Sequence, residues 1–259
     1  METTPPRRRR WWLWILVGVL AVVALGYGAI FVYTEVINDP EDELTVDDLE
    51  SALQGTTTTT VAEPAPTGPS ESVPTSAAPT TAPAATSTVD GVWNVTTDSE
   101  LGYRVGENLF GVDTEAVGRT NQIVGSLTIA GTQVTEAAFD VDMTTLESDD
   151  SRRDNQFRGR IMATDEFPTA TFVLTAPIEL GTIPADGEQI TATATGDLTL
   201  RGTTNPVTFD VTAQLEGERI GVLGSIPIVF ADYGIPNPSI AGISTDDNGL
   251  LEFVLVFER

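Results

Sequence analysis

The feature that most constrains this fold is a two-residue hydrophobic alternation that recurs through residues 91–259. From Thr135 to Met143, apolar side chains stand at every second position, and Glu136, Asp140 and Asp142 lie between them. The same period returns in segments 170–178, 190–198, 207–215, 220–230 and 251–257. Because successive side chains of a strand point to opposite faces, this period predicts strands with one buried face.

Turn-forming residues separate these segments, and further strands near residues 99–107 and 119–130 bring the expected number to eight. Glycine reaches the positive φ that tight hairpin turns need. The turn signals are Ala130-Gly131, Asp186-Gly187, Glu216-Gly217 and Asn248-Gly249. Eight long antiparallel strands in up-and-down order favour a closed barrel, because closure removes unpaired edges. The expected fold class is therefore all-β, an eight-stranded antiparallel barrel.

One segment, 148–163, departs from the alternation. Asp149 and Arg153 are four residues apart, as are Asp154 and Arg158, which is the spacing of ion pairs on a helix. This pattern predicts a short helical excursion between the third and fourth strands, lying over one end of the barrel.

An uncharged apolar stretch of 23 residues, 11–33, stands near the N-terminus. As a helix it would be about 34 Å long, enough to cross a hydrocarbon core of roughly 30 Å. Arginines 7–10 precede it and acidic residues follow it, so the positive-inside rule predicts a cytoplasmic tail over residues 1–10 and an extracytoplasmic C-terminal domain. A cleaved signal peptide is the alternative, but its apolar region is usually only about 7–15 residues long. The prediction is a single-pass transmembrane helix in the cell membrane.

Residues 34–90 are expected to form a disordered linker, acidic at first and then rich in Thr, Pro and Ala. Its acidic part carries helix signals, with Thr45 as a cap, Asp48 three residues later and Gly55 as a stop. A helix of about nine residues is too short to be stable alone in water. The stretch is therefore interpreted as locally helical linker, with docking on another part of the protein as the alternative.

Three motifs within residues 91–259 resemble those of the YceI-like, lipocalin-like polyisoprenoid-binding family. They are SRRDNQFRGRIMATDEFPTATF at 151–172, GDLTLRGTTNPVTFDV at 196–211 and FADYGI at 230–235. Members of this family fold as eight-stranded antiparallel barrels whose long apolar interior holds an isoprenoid or fatty chain. The resemblance implies a lipocalin-like β-barrel for residues 91–259 and a long-chain lipid or isoprenoid as its partner.

Apolar positions of the strands that face inward are the candidate ligand-lining residues, with core packing as the alternative role of each. They are Phe139, Phe172, Leu174, Ala192, Ala194, Phe209, Ile228, Phe230 and Phe253. The connection 108–118 is expected to be an exposed loop that carries Leu109 and Phe110. Together with Phe157 and Ile161 of the helical excursion, these two residues form a candidate portal, and the alternative is that they tuck under the loop.

Composition argues against several classes of function. A formal charge of −25 at pH 7 repels phosphate backbones, so no nucleic acid is expected as a partner. The chain has no His, Cys or Lys, which removes the usual general bases, thiol nucleophiles and Schiff-base amines. No enzyme, no metal and no cofactor are expected. The leading hypothesis is a membrane-anchored extracytoplasmic domain that binds a polyisoprenoid or other long-chain amphiphile, and the alternative is a non-catalytic cell-surface interaction or stress module that uses the barrel as a scaffold.

Overall fold

The structure is a computed structural model that describes residues 11–32, 40–55, 89–239 and 242–259. Within the first of these ranges, side chains are described for residues 15–26 and 28. The predicted cytoplasmic tail and most of the predicted linker lie outside the described residues.

The described residues form three α-helices and thirteen strands. The helices are α1 (Trp11–Val32), α2 (Val46–Leu53) and α3 (Ser151–Gln156). The strands are β1 (Gly91–Val95), β2 (Glu100–Leu109), β3 (Val112–Thr120), β4 (Ile123–Ala130), β5 (Gln133–Asp142), β6 (Glu147–Ser148), β7 (Thr169–Ala176), β8 (Ile178–Glu179), β9 (Gln189–Leu200), β10 (Thr203–Glu216), β11 (Arg219–Val229), β12 (Ile243–Thr245) and β13 (Asn248–Glu258). A π-helical turn, Phe157–Ile161, continues α3, and 3-10 turns span Met143–Thr145 and Phe230–Tyr233.

Eight of the strands form a closed antiparallel ring in the order β1-β4-β5-β7-β9-β10-β11-β13. The ring closes where β1 pairs with β13, with Asn94 opposite Glu258 and Val95 opposite Phe257. The inward members of the alternation form one hydrophobic cluster inside this ring. The predicted all-β, eight-stranded antiparallel barrel is therefore confirmed.

The N-terminal part of the barrel differs from the expected strand set. The short β1 occupies the place in the ring that was expected for the strand near residues 99–107, and that strand is β2, which continues alongside β13. The prediction of an exposed loop over 108–118 is wrong, because β3 pairs with β2 along its whole length. The pairing runs from Leu109 opposite Val112 to Leu101 opposite Thr120. Pairing satisfies the backbone groups of this segment, and the turn shrinks to two residues.

Three of the four predicted turns are present, with φ of 61° at Gly131, 77° at Gly187 and 60° at Gly217. The fourth prediction is wrong, because Asn248-Gly249 begins β13, where Gly249 pairs opposite Ile228. A Cβ on Gly249 would lie 2.7 Å from Val105 Cγ2, so this glycine permits close packing between strands.

The short helix α2 begins and ends where its signals predict. Thr45 is the N-cap, and both its backbone nitrogen and its hydroxyl donate to Asp48 Oδ2 at 2.8 Å. Gly55 follows the helix with φ of 65°, a conformation that glycine adopts without steric cost.

The position of α2 corrects its interpretation as locally helical linker. Leu49 and Leu53 are 0% and 3% exposed and pack against Val254 and Val256 on the outer face of the barrel. A helix of this length is too short to be stable alone, and burial of its two leucines supplies the missing stabilisation. The docking alternative is the correct one.

Among the side chains that the structure describes, no helix offers an apolar stretch long enough to cross a membrane. The transmembrane helix over residues 11–33 stays a prediction.

Candidate functional site

A cavity of about 680 Å³ runs along the interior of the barrel. Small-molecule sites in proteins typically have volumes of about 300–1,000 Å³. The alternating strands build this cavity by turning every second side chain inward, so its wall is apolar over most of its length.

A band of phenylalanine rings forms the middle of the wall. The ring centroids of Phe139 and Phe172 are 6.3 Å apart, those of Phe172 and Phe209 are 5.6 Å apart, and those of Phe209 and Phe253 are 6.0 Å apart. The last two pairs meet edge to face, which is a favourable arrangement of aromatic quadrupoles. Mutual contact holds the rings in place, so the wall is apolar and well defined.

All nine predicted lining residues border this cavity. They are Phe139, Phe172, Leu174, Ala192, Ala194, Phe209, Ile228, Phe230 and Phe253. The structure therefore brings together residues from seven strands or turns that are far apart in the chain. Contact between these side chains and a ligand stays a prediction.

The four candidate portal residues also border the cavity, at the end covered by α3. Leu109 and Phe157 are buried and Ile161 is half-buried, so these residues tuck inward. Phe110 is 54% exposed and lies in the β2–β3 turn with a positive φ of 53°. Of the four, Phe110 alone presents a large apolar surface to solvent.

The helical excursion is fastened across this end of the barrel. The rings of Tyr103 and Phe157 stack with centroids 4.9 Å apart, and burial raises the pKa of the Tyr103 hydroxyl. Arg160 Nη2 donates to the carbonyl oxygen of Pro238 at 2.7 Å. The predicted position of the excursion over one barrel end is thus observed.

The two ion pairs predicted within the excursion have different outcomes. Arg153 pairs with Asp149, as its spacing predicts. Asp154 does not pair with Arg158 but accepts hydrogen bonds from the backbone nitrogen and hydroxyl of Ser148, at 2.9 and 2.7 Å. Arg158 Nη1 donates instead to a carbonyl oxygen 3.0 Å away, that of Leu146. Asp154 is buried, and the hydrogen bonds from Ser148 compensate the loss of its hydration.

Charged side chains border the described part of the cavity only at the α3 end. They include Glu107, Arg152 and Arg153. Arg153 Nη2 lies 3.9 Å from Glu107 Oε2. Burial raises the pKa of the Glu107 carboxyl, and Arg153 offsets only part of that effect. The cavity therefore carries its charge at one end and is mainly apolar along the rest.

Sequence reasoning did not identify this polar end. Glu107 lies in a segment expected to be a strand, and Arg152 and Arg153 lie in a helix whose charges suggested only surface ion pairs. Their shared position depends on how α3 folds back over β2, which no local pattern encodes. Among the described residues, no group of three or more His, Cys, Asp or Glu residues is arranged to hold a metal ion.

Comparison with known proteins identifies the barrel. The family model of the YceI-like domain matches residues 93–257, which is more than half of the chain. This chain belongs to the YceI-like family. A UPF0312 protein of Shewanella denitrificans is 30% identical over 142 residues, covering 50% of this chain and 71% of the relative. A UPF0312 protein of Pseudomonas fluorescens is 33% identical over 129 residues, covering 47% and 64%.

Solved structures share the fold of this YceI-like domain. A polyisoprenoid binding domain from Saccharophagus degradans, described as implicated in plant cell wall breakdown, matches with a TM-score of 0.52 and 22% identity. The match covers 65% of this chain and 98% of that domain. BcnA of Burkholderia cenocepacia matches with a TM-score of 0.50 and 22% identity, covering 62% of this chain and 98% of BcnA. At this identity, both matches show a common fold.

Proposed function

We propose that this protein is a membrane-anchored YceI-like barrel that binds a polyisoprenoid or another long-chain amphiphile outside the cytoplasm. The observation that carries the proposal is the apolar cavity of about 680 Å³ along the barrel interior. Each methylene group moved from water into such a cavity contributes about 0.8 kcal/mol, so a long chain gains more than a small polar molecule.

The polarity of the cavity indicates how such a ligand lies. Charged side chains border the cavity at the α3 end, and the aromatic band lies deeper. An amphiphile would therefore place its polar head near Glu107 and Arg152 and its chain among the phenylalanine rings. In the reverse orientation the polar head would leave water and find no charged side chain to bind, and burial of an unpaired polar group costs free energy.

Two further observations support the proposal. The fold of the chain matches that of the Saccharophagus degradans domain, whose description names polyisoprenoid binding. The uncharged stretch over 11–33 and the arginines before it are typical of an anchor that leaves the rest of the chain outside the cytoplasm. A barrel held at the membrane would stand close to the source of such ligands.

The proposal includes no catalytic step. The chain has no His, Cys or Lys, and a ligand that is only sequestered requires none of these side chains. The charged groups at the cavity mouth then serve to orient the head of the ligand.

The test is to purify the full-length chain from its host membranes and identify co-purified lipids by native mass spectrometry and lipid extraction. We expect an isoprenoid or fatty-acyl species in about one-to-one ratio with protein. A protein recovered without any long-chain adduct, and unable to take up a polyprenol on incubation, would contradict the proposal and favour the scaffold alternative.

A matched pair of variants localises the ligand. Ala192 is buried and borders the cavity, whereas Thr191 precedes it on β9 and is exposed on the outer surface. We expect Ala192→Phe to reduce the bound lipid at least about tenfold by filling the cavity, and Thr191→Phe to leave it unchanged. Equal lipid content in both variants would show that the ligand lies elsewhere.

A further inference from the structure

We propose that residues 40–55, here called the strap, are a fixed part of the outer barrel wall rather than a tether. The outer face of β2, β3, β11 and β13 is, on this view, a binding surface whose occupant is the chain's own strap. The family match begins at residue 93, so the strap lies outside the matched YceI-like domain. Apolar, ionic and backbone contacts of the strap carry the proposal.

The apolar contact explains why β13 is buried on both faces. Every residue from 252 to 257 of this strand is buried, whereas a barrel strand ordinarily buries one face. Val254 and Val256 point outward and are covered by Leu49 and Leu53 of the strap. Without the strap these valines would form an exposed apolar patch.

A glycine of the barrel provides the space for the strap. A Cβ on Gly221 of β11 would lie 2.5 Å from Leu49 Cδ1 and 2.9 Å from Leu53 Cγ. Both distances are shorter than van der Waals contact allows. The barrel surface is therefore shaped to the two leucines of α2.

The ionic contact involves a carboxylate on the outer wall of the barrel that is only 2% exposed, Glu252. Its Oε1 atom lies 2.7 Å from Arg119 Nη2 and 3.2 Å from Arg104 Nη2. The same arginines donate to the strap, Arg104 Nη2 to the carbonyl oxygen of Glu41 and Arg119 Nη2 to that of Asp42, both at 2.7 Å. Buried charges require such partners, and the strap supplies two of the carbonyl acceptors of this cluster.

The backbone contact holds the other end of the strap. Arg219 Nη1 donates to the carbonyl oxygens of Ala52 and Leu53, at 3.0 and 2.7 Å. The Ala52 carbonyl oxygen also accepts from the backbone nitrogen of Gly55 at 3.1 Å, and a cation near a helix C-terminus is favourable. The strap is thus fixed at both ends and along its apolar face.

Docking of the strap limits how far the barrel can lie from the end of α1, and this consequence rests on the proposed membrane anchor. Val32 of α1 and Pro40 are eight Cα-to-Cα steps apart, and at about 3.6 Å per step they are at most about 29 Å from each other. If the strap were released, the distance from Val32 to Val89 could extend to about 200 Å. The docked strap would therefore keep the barrel close to the membrane.

The test uses the full-length chain in vesicles of phosphatidylethanolamine and phosphatidylglycerol. Amide hydrogen exchange is followed in residues 46–53 of the unmodified chain and of a Leu49→Asp/Leu53→Asp variant. We expect protection in the unmodified chain and at least about a tenfold faster exchange in the variant. Ser51→Asp is the matched control, because Ser51 is exposed on the same helix. Exchange at the rate of an unstructured peptide in the unmodified chain would overturn the proposal.

A second variant alters the barrel and leaves the strap sequence intact. Gly221→Val places a side chain where Leu49 packs, on the face opposite the cavity, and we expect the same loss of protection in residues 46–53 with the strands still protected. If residues 46–53 of this variant are as protected as in the unmodified chain, the proposed docking position of the strap is wrong.

The distance between the barrel and the membrane is measured by energy transfer from a fluorophore on Thr191→Cys to acceptor lipids in the vesicles. The chain has no cysteine of its own, so the fluorophore attaches only at this position. We expect energy transfer to fall in the Leu49→Asp/Leu53→Asp variant while its co-purified lipid stays unchanged. Unchanged energy transfer would show that release of the strap does not let the barrel move away from the membrane, and would contradict this consequence of docking. A protein that is empty of lipid but has a protected strap would reject the proposed function and leave the strap proposal intact.

Discussion

At the scale of residues, pairs of glycine and phenylalanine shape the cavity wall. A Cβ on Gly196 would lie 2.4 Å from Phe172 Cζ, and one on Gly224 would lie 2.5 Å from Phe253 Cζ. In both cases the ring occupies the space that a side chain would need. Gly196 therefore does not enlarge the cavity as a small inward residue would, but accommodates an aromatic ring.

Substitution of Gly196 tests this packing. We expect Gly196→Ala to lower the free energy of unfolding by about 1–3 kcal/mol, because the added methyl group overlaps Phe172 and the Val173 carbonyl oxygen. Denaturation in urea measures the change. Gly159→Ala is the control, since a Cβ there meets no atom within 4 Å and alanine favours helix. Equal stability of both variants would be inconsistent with the need for glycine at position 196 beside the Phe172 ring.

The carboxyl at the cavity mouth leads to a pH-dependent prediction. Burial raises the pKa of Glu107 above its ordinary value of 4.5, so the folded protein favours the protonated form. The contribution of Glu107 to the free energy of unfolding is therefore fully present below pH 4.5, and it is lost as the pH rises through the higher pKa of the folded state. We expect Glu107→Gln to raise the melting temperature at pH 7 relative to the unmodified chain.

Melting curves between pH 4 and pH 7 check this prediction. The gain from Glu107→Gln should shrink toward pH 4, where the carboxyl of the unmodified chain is protonated. Glu218→Gln in an exposed turn serves as the control and should show no such trend. A lower melting temperature of Glu107→Gln at pH 7 would indicate that the Arg153 contact outweighs burial.

At the scale of elements, two short segments show what local patterns leave open. The β3 strand has weak alternation, and its pairing with β2 became visible only in the structure. The end signals of α2 predicted its bounds, whereas its docking depends on β11 and β13, more than 150 residues later in the chain. Local signals thus locate elements better than they identify the surfaces that cover them.

The predicted anchor is tested by cell fractionation. We expect the full chain to sediment with membranes and its barrel to be cleaved by protease added to spheroplasts, because residues 11–33 are long and apolar enough to span a bilayer. Deletion of 11–33 should move the protein to the soluble cytoplasmic fraction. Recovery of the unmodified full-length chain as a soluble protein would argue against the anchor.

At the scale of the whole molecule, closure of the barrel depends on the short strand β1. β1 is the first ring strand in sequence, and it pairs with the second, β4, on one side and with the last, β13, on the other. Trp93 of this strand is buried, and its indole nitrogen donates to the carbonyl oxygen of Val89 at 2.8 Å. Arg259 lies over its ring, with 4.7 Å between Cζ and the centroid.

Substitution of Trp93 tests the importance of this closure. We expect Trp93→Ala to lower the free energy of unfolding by about 3–5 kcal/mol, since it removes a large buried side chain and its contact with Arg259. The neighbouring Val92 is 54% exposed, and Val92→Ala should change stability by about 0.5 kcal/mol or less. A similar small effect of both changes would show that closure at β1 contributes little.

The sequence by itself determined the all-β class, most of the ring strands and the inward-facing residues, because a period of two encodes locally which side chains share a face. It also indicated the YceI-like family through motifs that the family match confirms. The tertiary structure alone decided that β1 closes the ring, that charged residues gather at one end of the cavity and that α2 docks on the outer wall. Each of these features joins residues far apart in the chain, and hydrophobic periodicity carries no information about such pairings.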